Sequence, residues 1–106
     1  MLRQAERAGE AGAGLRWANW SGSVVARPAE VTRPRTEAEL AEVVRRAGKL
    51  RVAGSGHSFV PLCATDGVLV SLERMEGRIT VSPDRRTVRA PAGMSLDRLT
   101  EALWAE

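Results

Sequence analysis

Apolar positions along the chain fall into one clear helical pattern, several short strand-like runs and a second helical pattern at the end. Leu40, Val43, Val44 and Ala47 share a face, while Glu42, Arg45 and Arg46 occupy the other. Thr36 stands where a hydroxyl caps a helix, and Glu39, three residues on, can reach back in a capping box. Gly48 supplies the stop. Ahead of this helix, Trp17-Ala18-Asn19-Trp20-Ser21-Gly22 brings two large rings together, and both are expected in the core. Ser23 to Val31 reads as extended, with Pro28 and Pro34 confining it to an edge or entry strand. Arg51-Val52-Ala53 is a short strand that runs into Gly54-Ser55-Gly56, so the pattern draws a β-α-β unit with glycines at the end of its second strand. Ligands of α/β units gather at that end. Val68–Val70, Arg78–Val81 and Thr87–Ala90 form further strands, the last two joined by a hairpin turn at Pro83–Arg86. Ser95 then caps a final helix that sets Leu96, Leu99, Ala102 and Leu103 on one face; Trp104 is expected to pack, with a part of the domain outside this chain as one candidate partner.

Composition narrows the class. With 43% apolar and 27% charged residues in 106, the chain has the make-up of a small globular domain. The first fourteen residues lack aromatics and are rich in Ala, Gly, Glu and Arg, which predicts a helical or disordered arm; residues 1–16 form this flexible segment and 17–106 the domain proper. Sixteen cationic residues, all Arg except Lys49, meet thirteen acids and leave a net charge of +3. The cations are scattered from Arg3 to Arg98 rather than gathered with aromatics on one run, so no nucleic-acid partner is expected. A single cysteine, Cys63, excludes an internal disulfide and a cysteine-built zinc site; no metal is expected, and the setting reads as cytoplasmic. No apolar run reaches membrane-spanning length.

The candidate chemistry sits in the loop after Val52-Ala53. Gly54, Ser55 and Gly56 let the backbone approach a bulky anion and turn N–H groups toward it, and a pyrophosphate is the natural guest. His57, the only histidine, follows at once; its imidazole can serve as nucleophile or base. Taken alone, the loop reads as a sharp turn and His57 as a structural or surface-exposed residue. Cys63 does not complete a Cys-His pair, because no third residue is available to orient the histidine, and it reads as a small buried hydrophobe. Asp66-Gly67 reads as a turn.

Five segments in order resemble flavoproteins with the FAD-binding domain of the vanillyl-alcohol-oxidase, or PCMH, type. They are Asn19-Trp20-Ser21, Arg33-Pro34-Arg35-Thr36, Val52 through Phe59, Cys63-Ala64-Thr65-Asp66-Gly67, and Val88-Arg89-Ala90-Pro91-Ala92-Gly93. The likeness is greatest to the sugar-1,4-lactone oxidases and the related alditol oxidases. It implies an α+β fold: the first α/β subdomain of that domain, a short mixed sheet with two flanking helices, in truncated form. It also implies FAD held by Val52, Ala53, Gly54, Ser55, Gly56, His57 and Ser58, with the His57 ring bonded to the 8α-methyl of the isoalloxazine and Ser58 touching a phosphate. Family members continue beyond the position of Glu106 into a substrate domain that carries the catalytic base, so no catalytic residue is expected in this chain. The implied activity is oxidation of a CH–OH group on an aldonolactone or polyol, with oxygen as acceptor. The competing expectation is a non-catalytic remnant or split-domain module; the oligomeric state is not legible.

Overall fold

The computed structural model describes residues 6–7 and 14–105. Most of the expected N-terminal arm lies outside these residues; of its described part, Glu6–Arg7 forms β1, which pairs antiparallel with β2 (Leu15–Ala18), and Leu15 and Arg16 are the first residues of β2. β3 (Val25–Ala26) pairs antiparallel with the other edge of β2. β4 (Glu30–Thr32) then leads into α1 (Glu37–Arg46), β5 (Leu50–Val52) and β6 (Val68–Val70). These three strands form a parallel sheet in the order β4-β6-β5. β7 (Thr80–Val81) and β8 (Val88–Arg89) make an antiparallel hairpin, and α2 (Leu96–Trp104) follows. The architecture is α+β. Parallel and antiparallel pairing are both present as expected, but divided among three small sheets rather than joined in one.

The parallel sheet is built around β6. Val68 and Val70 face α1 and pack with Val43, Leu40, Ala47, Leu50 and Leu72, whereas Leu69 faces the opposite way into a cluster with Trp17, Ala26 and Ala53. A strand buried on both faces reads as an unbroken apolar run rather than an alternating one, and all three residues of β6 are buried. The expected β-α-β unit is present with one refinement. β4 and β5 do not touch; β6 lies between them and pairs in parallel with both. Pro28 and Pro34 flank β4, an edge strand, where a missing N–H costs no ladder bond.

α1 begins as its sequence dictates. The Thr36 hydroxyl accepts from the Glu39 N–H at 3.2 Å. The Glu39 carboxylate reaches back one residue further than the usual box and accepts from the Arg35 N–H at 2.7 Å. Glu37 and Glu39 in the first turn and Arg45 and Arg46 in the last oppose the helix dipole favourably. Arg46 also forms a two-pronged pair with Glu30 of β4, both contacts at 2.7 Å, tying the helix end to the sheet edge. That pair holds the Glu30 carboxyl below its ordinary value.

Two expectations, at Val44 and Trp20, are corrected. Val44 is exposed, because the sheet contacts only the narrow stripe of Leu40, Val43 and Ala47. The helix stops just before Gly48, as expected, on an extended Ala47 whose N–H still donates to Val43 O. Trp20 is 55% exposed: it sits in the turn after β2, with its ring outside both core clusters. Trp104 is 86% exposed, and no residue of α2 is buried; of its apolar face only Leu99 and Ala102 are partly covered by the described residues.

Candidate functional site

The site begins where β5 stops. Ala53 extends the ladder by one bond, its N–H donating to Val70 O at 2.9 Å, and its side chain is buried against Trp17 and Leu69. Beyond it the chain leaves the sheet at the C-terminal edge of the parallel strands. Gly54, Ser55 and His57 are exposed and Gly56 is buried. Gly56 adopts φ +71°, a left-handed conformation that a Cβ would strain. No described group accepts from the N–H of Ser55, Gly56 or His57. A left-handed glycine among N–H groups that have no acceptor is one element of an anion nest, and the exposed Ser55 and His57 flank it.

The loop is held from outside by the turn between β2 and β3. Trp20 N–H donates to Gly56 O at 2.8 Å, and the Asn19 side-chain amide donates to Ser58 O at 3.0 Å. Ser58 closes the loop on itself: its hydroxyl accepts from Val60 N–H at 3.2 Å. The Trp20 and Phe59 rings meet edge to face with centroids 5.5 Å apart. Both rings are exposed, as are Val60 and Leu62 just beyond Phe59 in sequence.

A cavity of about 250 Å³ adjoins the loop, lined by Val52, Ala53, Gly54, Ser71, Leu72, Glu73, Ala92 and Gly93. It joins the ends of β5 and β6 to the segment before α2. Arg33 and Glu73 pair at 2.9 Å at the same end of the sheet, half-buried. Among the described residues, no group of three or more His, Cys, Asp and Glu is placed to hold a metal ion.

The residues singled out in the sequence fall into two groups. Gly54, Ser55, Gly56, His57 and Ser58 share one loop. Val52 lies on β5 with an exposed side chain, and Ala53 is committed to the core, so only its backbone can face a ligand. Cys63 stands apart from this loop, packed against the Trp17 cluster. Burial pushes its thiol above the ordinary value, with the nearby Arg51 cation opposing the shift. A raised thiol is mostly protonated at neutral pH, so Cys63 is expected to react with a disulfide reagent more slowly than a free cysteine at about pH 7.5. A time course of thiol release with and without denaturant tests this; equal rates in both would count against it.

Asn19 was not legible as a site residue. Three of its partners lie within residues 21–24, but the fourth, Ser58 O, is 39 positions away. An Asn in a Ser/Gly-rich turn signals local turn chemistry, and nothing in the sequence points to the distant bond. Ser71 and Gly93 were missed as cavity-lining residues for the same reason.

Residues 28–106 match the family described as FAD binding domain, and the chain belongs to that family. It is 37% identical over 87 residues to an L-gulono-1,4-lactone dehydrogenase of Mycobacterium tuberculosis, covering 78% of this chain and 20% of the relative. It is 37% identical over 90 residues to an alditol oxidase of a Streptomyces species, covering 82% and 22%. With a D-arabinono-1,4-lactone oxidase of Eremothecium gossypii the figures are 38% over 72 residues, 64% and 14%. The chain therefore spans about a fifth of the length of the first two relatives. No helix among the described residues is long and apolar enough to cross a membrane.

Proposed function

We propose that this chain is the flavin-gripping part of an oxidoreductase that oxidises a CH–OH group of an aldonolactone or polyol, with oxygen as acceptor. In this reading residues 1–16 are an arm and 17–106 the N-terminal part of a PCMH-type FAD domain. The observation that carries it is the loop at the end of β5: a left-handed Gly56, N–H groups of Ser55, Gly56 and His57 that no described group accepts from, and an exposed His57, in a chain of the FAD-binding family. The names of the relatives support the substrate class.

The residues fit the group. An added Cβ at Gly54 meets nothing within 4 Å, so the loop offers an open face. Backbone N–H groups from Ser55 to His57 are suited to a pyrophosphate without a charged side chain, and Ser58 stands next in line for a phosphate contact. When bound, FAD supplies the hydride acceptor. His57 would hold it through one ring nitrogen on the 8α carbon, a link that would replace one N–H and one C–H and would leave two electrons for the flavin and its oxygen acceptor to take up. His57 then fixes and tunes the cofactor; it is not the base that deprotonates substrate.

Incubating the chain with FAD, precipitating it with acid and reading flavin fluorescence on the washed polypeptide tests the attachment. Retained fluorescence is expected. Flavin that binds the native chain but washes away on denaturation removes the covalent link and leaves FAD binding standing; no binding at all removes both.

A further inference from the structure

We propose that the turn Asn19-Trp20 is a clamp that sets the direction in which His57 and its neighbouring N–H groups project, and that Asn19 is the positioning residue for flavin attachment. The inference rests on the reading of His57 given above. Nothing in the sequence pattern or in the family likeness assigns this task to residues 19 and 20.

The clamp grips the chain on both sides of His57. Gly56 O, on the peptide before it, accepts from Trp20 N–H, and Ser58 O, on the peptide after Ser58, accepts from Asn19 Nδ2. No peptide bond among the described residues is cis. In a trans peptide the C=O and the following N–H point in opposite directions. Pulling Gly56 O toward the β2–β3 turn therefore turns the His57 N–H away from that turn, and pulling Ser58 O does the same to the Phe59 N–H. With the flanking carbonyls held, the His57 ring keeps only its two side-chain torsions, and it has no hydrogen-bond partner of its own among the described residues. Bond formation between a ring nitrogen and a fixed carbon gains rate from this restriction, because fewer orientations compete with the reactive one.

Asn is suited to the position as few residues are. It is 3% exposed, and its side chain is satisfied in both senses. Oδ1 accepts from Val24 N–H at 3.0 Å and from the Ser21 hydroxyl at 3.5 Å; Nδ2 donates to Ser23 Oγ and to Ser58 O, each at 3.0 Å. The Oδ1 bonds stabilise the turn itself, and one Nδ2 bond crosses to the loop. A carboxylate keeps the acceptor for the turn, where the Ser23 hydroxyl can donate to it in place of accepting from Nδ2, and loses the only donor to Ser58 O.

The test uses the full chain and Asn19→Asp. In the flavin-free form, amide exchange at Trp20 and Val60 is expected to quicken about tenfold or more, while Leu69 in the core keeps its protection. At saturating FAD, the rate of flavin attachment, read as acid-stable fluorescence, is expected to fall about fivefold or more. Attachment at the original rate, or unchanged protection at Trp20 and Val60, would overturn the proposal. Should Leu69 protection collapse in Asn19→Asp, Asn19→Ser, which keeps an oxygen for the local turn, is judged by the same criteria. If the unaltered chain attaches no flavin, the reading of His57 has failed, and amide exchange in the flavin-free chain alone decides the clamp.

Discussion

A His57→Ala chain folds with an unchanged melting temperature and carries no flavin after denaturation. The two halves of this result have separate causes. The His57 side chain is exposed and makes no hydrogen bond among the described residues, so truncating it falls among surface substitutions worth about 0.5 kcal/mol or less. The grip on the cofactor's phosphates comes from backbone N–H groups and survives the change, so reversible FAD affinity is expected to stay within roughly tenfold of the original. Acid-stable fluorescence, by contrast, drops to background, because the ring nitrogen that forms the bond is gone. Cys63 is no substitute nucleophile: burial raises its thiol, and it is packed against the Trp17 cluster. Calorimetric titration with FAD beside a denaturing gel read for fluorescence separates the two quantities. Flavin that stays on the denatured His57→Ala chain would mean that attachment runs through another residue.

Local chemistry made much of this fold legible. Thr36 and Glu39 cap α1 because both partners lie within one turn, and the Pro83–Arg86 segment turns a hairpin because the Ser82 hydroxyl just before it donates to the Asp84 carboxylate inside it at 2.6 Å. The Gly54–Ser58 loop was legible for a similar reason: small residues after an apolar run mark a strand end wherever that strand lies. What the pattern could not carry was neighbour identity. Periodicity says which face of a strand is apolar but not which strand pairs with it, so β6 slipping between β4 and β5 was invisible. Trp20 misled because ring size argues for burial while the turn it occupies argues against it, and the turn won. Asn19 shows the limit most clearly, since its decisive partner is a backbone oxygen, which every residue has.

Gly93→Ala is expected to destabilise the fold by about 3 kcal/mol or more, at the upper end of what overpacking costs. A Cβ built on Gly93 would lie 1.8 Å from Leu72 O, 2.1 Å from Leu72 C and 2.6 Å from Glu73 N. All three are backbone atoms, so no side chain can swing aside; the strand exit at Leu72–Glu73 must move. That exit is held on several sides. Ser71 just before it is fully buried and bonded to Thr32 O, Leu72 packs with the Val43, Val68 and Val70 cluster, and Glu73 is paired with Arg33. Displacing it strains β6, the strand on which both core clusters rest. In a domain of this size the melting temperature should fall by roughly 15 °C. Gly48→Ala is the matched control, since its Cβ meets nothing within 4 Å and its φ is not positive; it should melt within about 2 °C of the original. Gly54→Ala separates fold from site. Its Cβ also meets nothing within 4 Å, so stability is retained, but the methyl projects into the open face of the loop and should weaken FAD binding. Thermal melts of the three chains, with an FAD titration of those that fold, decide the matter: a Gly93→Ala chain as stable as Gly48→Ala would show that the 91–94 segment does not press on the end of β6.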